Sequence, residues 1–207
     1  MADLPPQGLP TTTFADVLDR HQVMDAAIRP LWSPIPLIAG PAFTVRCPPG
    51  DNLMLHAAIY QAEPGSVIVV ESGDLDYALA GGNVCAVAKR RGVAGFVLDG
   101  LVRDIGEVRE MGFPVWGLGV IPIPGGKAAA LPVNVPIRCG GVPVRPGDLV
   151  VADEDGVVVV PAESLPEAIA AAEAKLQADA AMTLDDWEKA HRAKIDGLLA
   201  AWQAEQS

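Results

Sequence analysis

The sequence predicts an α/β domain built on a mixed sheet and closed by a helical tail. Three observations predict it. From Ser66 to Val120, short apolar runs alternate with helical patterns, the rhythm of parallel strands joined by right-handed crossover helices. After Lys127 the rhythm changes to short strands broken by Pro-Gly-Asp and Glu-Asp-Gly turns, which reads as antiparallel. From Ser164 onward the pattern is helical.

Each element has its own warrant. Thr13 followed by Asp16 predicts a capped helix start, with Phe14, Val17, Leu18 and His21 on one face. Leu37 to Cys47 alternates but contains Gly40-Pro41, which predicts an edge or bulged strand because proline cannot donate to a ladder. Asp51 is placed to cap a helix running to Gln61. Ser66 to Glu71 is a short apolar strand, and Gly81-Gly82 opens a helix that ends at Gly92. Lys89, Arg90 and Arg91 lie in its last turn, where cations complement the helix dipole. Gly95 to Leu98 is the next buried strand, Arg103 to Met111 a short helix closed by Gly112, and Val115 to Val120 another strand. The antiparallel half comprises strands within residues 133–139, 141–144, 148–153 and 156–160.

In the tail, Ser164-x-x-Glu167 forms a capping box with Pro166 in the first turn, and Thr183-x-x-Asp186 caps a second helix. Leu184, Trp187, Ile195, Leu198 and Trp202 make an apolar stripe there, with His191 in register. The stripe suits a neighbouring subunit or the chain's own domain equally. The expected organisation is one domain over residues 1–162 and a helical extension over 163–207.

The 207 residues hold 26 Asp and Glu against 15 Lys and Arg, a formal charge of −11. Such a chain is a poor partner for nucleic acid, whose binding proteins work by neutralising phosphates. It is equally unsuited to an anionic membrane surface. No apolar run reaches transmembrane length, and the first residues hold an acid and prolines where a signal peptide needs basic then apolar residues. Cys47, Cys85 and Cys139 are odd in number, widely spaced and free of any C-x-x-C, which predicts reduced thiols and a cytoplasmic setting.

Most standard catalytic motifs fail. Pro124-Gly-Gly-Lys127 lacks the upstream glycine and the following Ser or Thr of a phosphate-binding loop. There is no dinucleotide-binding glycine fingerprint and no nucleophile elbow. His21, His56 and His191 are scattered, and the lysines sit in polar or turn settings unsuited to a Schiff base.

One constellation remains: Gly81, Gly82, Asn83 and Val84, then Arg103, Asp104 and Glu107. Both halves follow apolar strands and open helices, so a parallel sheet brings them to one edge, where ligands bind. The Gly-Gly turn offers free backbone amides at a helix N-terminus. Arg103 offers a planar fork for a carboxylate, and Asp104 a hard oxygen ligand of the kind that holds Mg²⁺ with several waters. Spacing alone equally allows a structural reading, in which Asp104 complements the helix dipole and Arg103 pairs with Glu107 four residues on.

Gly82, twenty intervening residues, Arg103-Asp104, two residues and Glu107 resemble the signature of the 4-hydroxy-4-methyl-2-oxoglutarate / 4-carboxy-4-hydroxy-2-oxoadipate aldolases of the RraA-like family. The likeness runs from about Thr12 to Pro161, through residues 62–70, 97–104 and 144–161. The regulator branch of the family, the ribonuclease E inhibitors, typically lacks the Asp after the Arg, so Asp104 places this chain nearer the catalytic branch.

The resemblance implies an α/β sandwich similar to the swivelling β/β/α domains and a class II, metal-dependent pyruvate aldolase. It implies that Gly81, Gly82, Asn83 and Val84 form the substrate loop. Arg103 binds substrate, and Asp104 binds Mg²⁺ or Mn²⁺. It implies a homotrimer or hexamer with the site between subunits and an acidic residue supplied by a neighbour, for which Glu173 and Asp179 are candidates. The expected substrate is a small oxo acid, with oxaloacetate decarboxylation as a side activity and aromatic degradation as the setting. Met54, His56 and Trp116 are expected near the distal pocket. The alternatives are another metal-dependent lyase, decarboxylase or hydratase on the same scaffold, and a non-catalytic ribonuclease regulator.

Overall fold

The computed structural model describes residues 8–206. Its helices are α1 Thr11–Val17, α2 Leu53–Gln61, α3 Gly82–Arg90, α4 Ile105–Glu110, α5 Leu165–Ala181 and α6 Leu184–Glu205. Its strands are β1 Arg29–Pro30, β2 Ile38–Arg46, β3 Val67–Ala80, β4 Gly95–Val102, β5 Val115–Gly117, β6 Gly119–Val120, β7 Ile137–Cys139, β8 Val142–Val144, β9 Leu149–Asp153 and β10 Gly156–Val160. The main sheet runs β1-β5-β4-β3-β2-β9-β10, with β6 also on β4, and β7–β8 form a separate hairpin. Strands β2 to β5 pair in parallel, while β9 pairs antiparallel with both β2 and β10. The mixed α/β class expected from the sequence is the class observed.

Gly40-Pro41 predicts an edge or bulged strand, and β2 is not at an edge, since it lies between β3 and β9. It joins the two halves of the sheet. Ile38 to Pro41 pair antiparallel with β9, and Ala42 to Arg46 pair parallel with β3. Pro41 sits where the strand changes partners, so its missing N–H falls where the ladder changes sides. Gly40 is required for space, because a Cβ there would lie 2.1 Å from the Gly65 carbonyl oxygen.

Strand alternation divides the apolar residues among three cores. On β3, Ile68 and Val70 face helices α2, α3 and α4, together with Phe96 and Leu98 of β4. Val67, Val69 and Val97 face the opposite way, onto Val150, Ala152, Val157, Val159 and the β7–β8 hairpin. The other faces of β9 and β10 carry Leu149, Val151, Val158 and Val160 against Phe14, Ala168 and Ala172. The sheet curls until its ends approach. Trp116 Nε1 on β5 donates to the Asp153 carbonyl at 2.8 Å, and the Met24 amide donates to Val157 at 3.0 Å.

Three local expectations need correction. α1 begins at Thr11, not Thr13, because Asp153 accepts both the Thr11 amide (2.8 Å) and its hydroxyl (2.6 Å). His21 lies beyond α1 in a 3-10 turn, Arg20–Gln22, and is exposed. Ser164 closes a 3-10 turn, Ala162–Ser164, and its hydroxyl donates to the Pro161 carbonyl (3.2 Å). The Thr183 cap is present, its hydroxyl oxygen accepting the Asp186 amide at 3.2 Å.

The chain forms two compact units, the first ending at Ala172, beyond the residue-162 boundary drawn from the sequence, and the second beginning at Glu173. Within the second, Leu184, Trp187, Ile195, Leu198 and Trp202 are exposed, and the Trp187 and His191 rings stack with centroids 4.5 Å apart. Among the described residues, no helix is long and apolar enough to cross a membrane.

Candidate active site

The C-terminal ends of β3 and β4 lead directly into the site. β3 ends at Ala80 and hands over to the Gly81-Gly82 turn; β4 ends at Val102 and hands over to Arg103-Asp104. The Arg103 amide donates to the Ala80 carbonyl at 2.9 Å, which locks the two strand ends together. The first helical bond of α3 runs from the Cys85 amide to Gly81, so the amides of Gly82, Asn83 and Val84 precede the ladder and have no helical acceptor.

Asp104 takes one of these amides. Its Oδ2 accepts the Gly82 N–H at 3.0 Å and lies 3.4 Å from Arg103 Nε. To turn its carboxylate back onto α3, Asp104 adopts a left-handed backbone (φ 58°, ψ 34°), a conformation that aspartate tolerates better than most residues. Among the described residues no donor is bonded to its Oδ1. The Arg103 and Asp104 side chains remain 41% and 37% exposed, so both stay open to a ligand.

The spacing of the glycines now has a steric meaning. A Cβ on Gly81 would lie 2.6 Å from Asp104 Oδ2 and 2.9 Å from Arg103 Cγ. A Cβ on Gly82 would lie 2.1 Å from Glu107 Oε2. Glu107 therefore packs over Gly82, and Arg103 is paired with Asp104, so the Arg103–Glu107 surface pair allowed by spacing does not describe the site.

Gly81, Asn83, Val84, Arg103 and Asp104 line a cleft of about 70 Å³ together with Asn52, His56, Ala78, Ala80, Pro124 and Lys127, while Gly82 and Glu107 lie behind that lining. Burial pulls the His56 imidazole below its ordinary value, and the charges of Lys127 and Arg103 lower it further, against the raising effects of the Leu79 carbonyl and Asp51. The cleft is thus locally cationic on a chain of net charge −11. Of the distal-pocket candidates, His56 lines the cleft. Met54 is buried on the inner face of α2, and Trp116 is buried on the opposite side of the sheet. Sequence reasoning missed Asn52 and Lys127. Lys127 stands in the Pro-Gly-Gly-Lys segment set aside because it failed as a phosphate loop.

The donor set can be tested against a divalent cation. Among the described residues, no three His, Cys, Asp or Glu side chains cluster as a metal cage. A zinc site of three or four protein ligands does not fit that inventory. One carboxylate that lines a polar cleft, with one of its oxygens fixed by a backbone amide, does fit a cation that keeps most of its waters.

A family model described as "RraA-like: Aldolase/RraA" matches residues 11–159. The chain belongs to the RraA-like family. Among its RraA-like relatives, a Halalkalibacterium halodurans protein named "Putative 4-hydroxy-4-methyl-2-oxoglutarate aldolase" is 45% identical over 154 residues, 74% of this chain and 73% of that one. Two solved structures share the fold. An uncharacterized protein from Pseudomonas syringae pv. tomato superposes with a TM-score of 0.75 at 28% identity, covering 89% of this chain and 91% of that one. The RNA-processing inhibitor RraA from Thermus thermophilis gives a TM-score of 0.66 at 32% identity, over 73% and 92%. The RraA-like fold therefore includes relatives named for a lyase activity and relatives named for inhibition of RNA processing.

Proposed function

We propose that this RraA-like chain is a class II, metal-dependent pyruvate aldolase. It cleaves a 4-hydroxy-2-oxo di- or tricarboxylic acid, of the 4-hydroxy-4-methyl-2-oxoglutarate type, to pyruvate and a second oxo acid. The observation that carries the reading is Asp104, which is held by the Gly82 amide beside Arg103 at the mouth of a cationic cleft. Similarity to a relative named for this aldolase supports it.

The chain's own residues have separable tasks. The free amides of Asn83 and Val84 hold the C1 carboxylate of the substrate, aided by the positive end of α3. Arg103 donates to the C2 oxygen, where negative charge develops as the C3–C4 bond breaks, and a preorganised donor there lowers the barrier. Gly82 fixes Asp104 so that one carboxylate oxygen stays free to hold Mg²⁺ or Mn²⁺. When bound, that cation would act as a Lewis acid on the 2-oxo acid end of the substrate. The hydroxyl proton at C4 leaves to water, and water returns a proton to C3 to release pyruvate. Oxaloacetate decarboxylation, which leaves the same electron pair at C3, follows as a side activity.

The same reading places the protein in the cytoplasm as a trimer or hexamer, acting on small oxo acids such as those of aromatic degradation. A neighbouring subunit contributes an acid, Glu173 or Asp179; Asp179 also pairs with Lys175 on its own helix. The test is a coupled pyruvate assay with 4-hydroxy-4-methyl-2-oxoglutarate, 4-carboxy-4-hydroxy-2-oxoadipate and oxaloacetate, with Mg²⁺ and with EDTA. Metal-dependent pyruvate release is expected. No pyruvate from any of the three would overturn the reading and favour a different lyase or the regulator role.

A further inference from the structure

The Pro124–Lys127 segment lies outside the family signature, yet it forms one wall of the cleft. It is fastened by backbone groups. The Gly126 amide donates to Gly50 at 2.6 Å, the Gly125 amide to Ala78 at 3.2 Å, and the Asn52 amide to Gly126 at 2.9 Å. Asn52 Nδ2 also donates to Ala78, at 3.1 Å. Beyond the lysine, Asp51 Oδ2 accepts the amides of Ala128 and Ala129. Burial would raise the Asp51 carboxyl, but these amides, the Leu53 amide and the Lys127 charge outweigh it and hold the group below its ordinary value. A Cβ at Gly125 would come within 3.2 Å of Asn52 Nδ2 and 3.3 Å of the Ala78 oxygen, so the strap lies close against both.

This rigid strap brings one charge to the cleft, the Lys127 ammonium. Lys127 forms no ion pair among the described residues, although its charge reaches both Asp51 and His56. It lines the same cleft as Arg103, Asp104 and the Asn83–Val84 amides. A substrate anchored by its 2-oxo acid end at those groups would share the cleft with this cation.

We propose that Lys127 is a specificity-determining residue that binds the distal carboxylate of a 2-oxo dicarboxylate and so favours aldol cleavage over decarboxylation. The kinetic half of this inference rests on the aldolase reading; the binding half does not. In aldol cleavage the C4 hydroxyl loses its proton, the C3–C4 bond breaks and its electron pair stays with C3. The distal carboxylate leaves unchanged as part of the second oxo acid. In decarboxylation of oxaloacetate the same bond breaks and the same pair stays, but the distal carboxylate is itself the leaving group and departs as neutral CO₂. An ammonium on that carboxylate stabilises a charge that persists through the first reaction and vanishes in the second. Measured from free enzyme and substrate, a contact kept in the transition state raises kcat/KM, whereas one made in the bound ground state and lost in the transition state raises the barrier of the chemical step. One cation therefore supports cleavage through kcat/KM and opposes decarboxylation.

The test compares wild type with Lys127→Met and Lys127→Arg. Calorimetry measures binding of 2-oxoglutarate, which carries a distal carboxylate, and of pyruvate, which does not. Wild type should prefer 2-oxoglutarate, and Lys127→Met should reduce that preference by about tenfold, the usual order for losing a charged hydrogen bond. Lys127→Arg should retain most of it. In kinetics, the ratio of oxaloacetate decarboxylation to 4-hydroxy-4-methyl-2-oxoglutarate cleavage should rise about tenfold or more in Lys127→Met. Equal binding of the two acids by wild type, equal weakening of both, or an unchanged ratio in an active enzyme would each overturn the assignment. If wild type released no pyruvate at all, the aldolase reading would fail, and the binding comparison would still decide Lys127.

Discussion

Gly82 and Glu107 are in contact across 25 residues of sequence: a Cβ on the glycine would fall 2.1 Å from the glutamate Oε2. The two outer positions of the family signature are thus the two halves of one packing contact. One residue before the signature, Gly81 leaves room for Arg103 and Asp104 in the same way. These glycines serve close approach and not an unusual backbone, since Gly81 is extended.

Gly81→Ala is expected to lower metal-dependent pyruvate release by about 10²-fold or more, the usual result of displacing a preorganised electrostatic group. The new methyl would push on both Asp104 Oδ2 and Arg103 Cγ. Circular dichroism should stay close to wild type, because the turn needs no positive φ at Gly81. Steady-state kinetics beside the spectrum check both halves.

Asp104→Asn separates charge from geometry better than Asp104→Ala does. Asparagine tolerates the left-handed backbone and can still accept the Gly82 amide. Activity should fall by about 10²–10³-fold while the melting temperature changes little. Arg103→Ala should lower turnover by a similar factor. Full EDTA-sensitive activity in Asp104→Asn would refute the assignment of Asp104 to the cation.

His56 supplies a pH prediction. Its folded-state value lies below its ordinary one, chiefly through burial, then through Lys127 and Arg103, with Leu79 and Asp51 opposing. In the unfolded chain the imidazole binds a proton near pH 6.5. As pH falls below that value the unfolded state gains the proton first, so stability declines until the folded-state value is reached. NMR titration should place the His56 midpoint below 6.5, and Lys127→Met should move it upward by removing a nearby cation. A midpoint indifferent to that substitution would place the ammonium away from the ring.

The three thiols should be inert in the native protein. All are buried, and burial pushes Cys47 up to about 11 and Cys85 up to about 12, with Cys139 raised as well. Thiolate is the reactive form, so a disulfide reagent at pH 8 should label none of them until denaturant is added. Rapid labelling of the folded chain would contradict the burial described.

Much of the site was legible because its parts follow one another along two strand–turn–helix units. Gly81 to Val84 and Arg103 to Glu107 needed only a parallel sheet to bring them together. Lys127 and Asn52 were not legible in the same way. They meet the cleft through Asp51, which binds Ala128 and Ala129, and through Gly126 on Gly50, contacts that no local period encodes. Trp116 failed as a pocket residue through alternation: Val115 faces the helices, so its neighbour faces the other core. Met54 failed through helical phase, since it shares the buried face of α2 with Leu55, Ala58 and Ile59. In the fold, Gly40-Pro41 reads as the signature of an edge or a bulge, where the structure uses proline at a change of partner.

That change of partner on β2 bears on how the first compact unit comes apart. A single strand carries the backbone hydrogen bonds of the parallel half along one stretch and those of the antiparallel half along the next. Neither half can peel away without leaving part of the same strand unpaired. The amides between Ala42 and Arg46 should therefore exchange with deuterium only when the whole unit opens, and the strand that looked like a margin in the sequence would act as the unit's last latch.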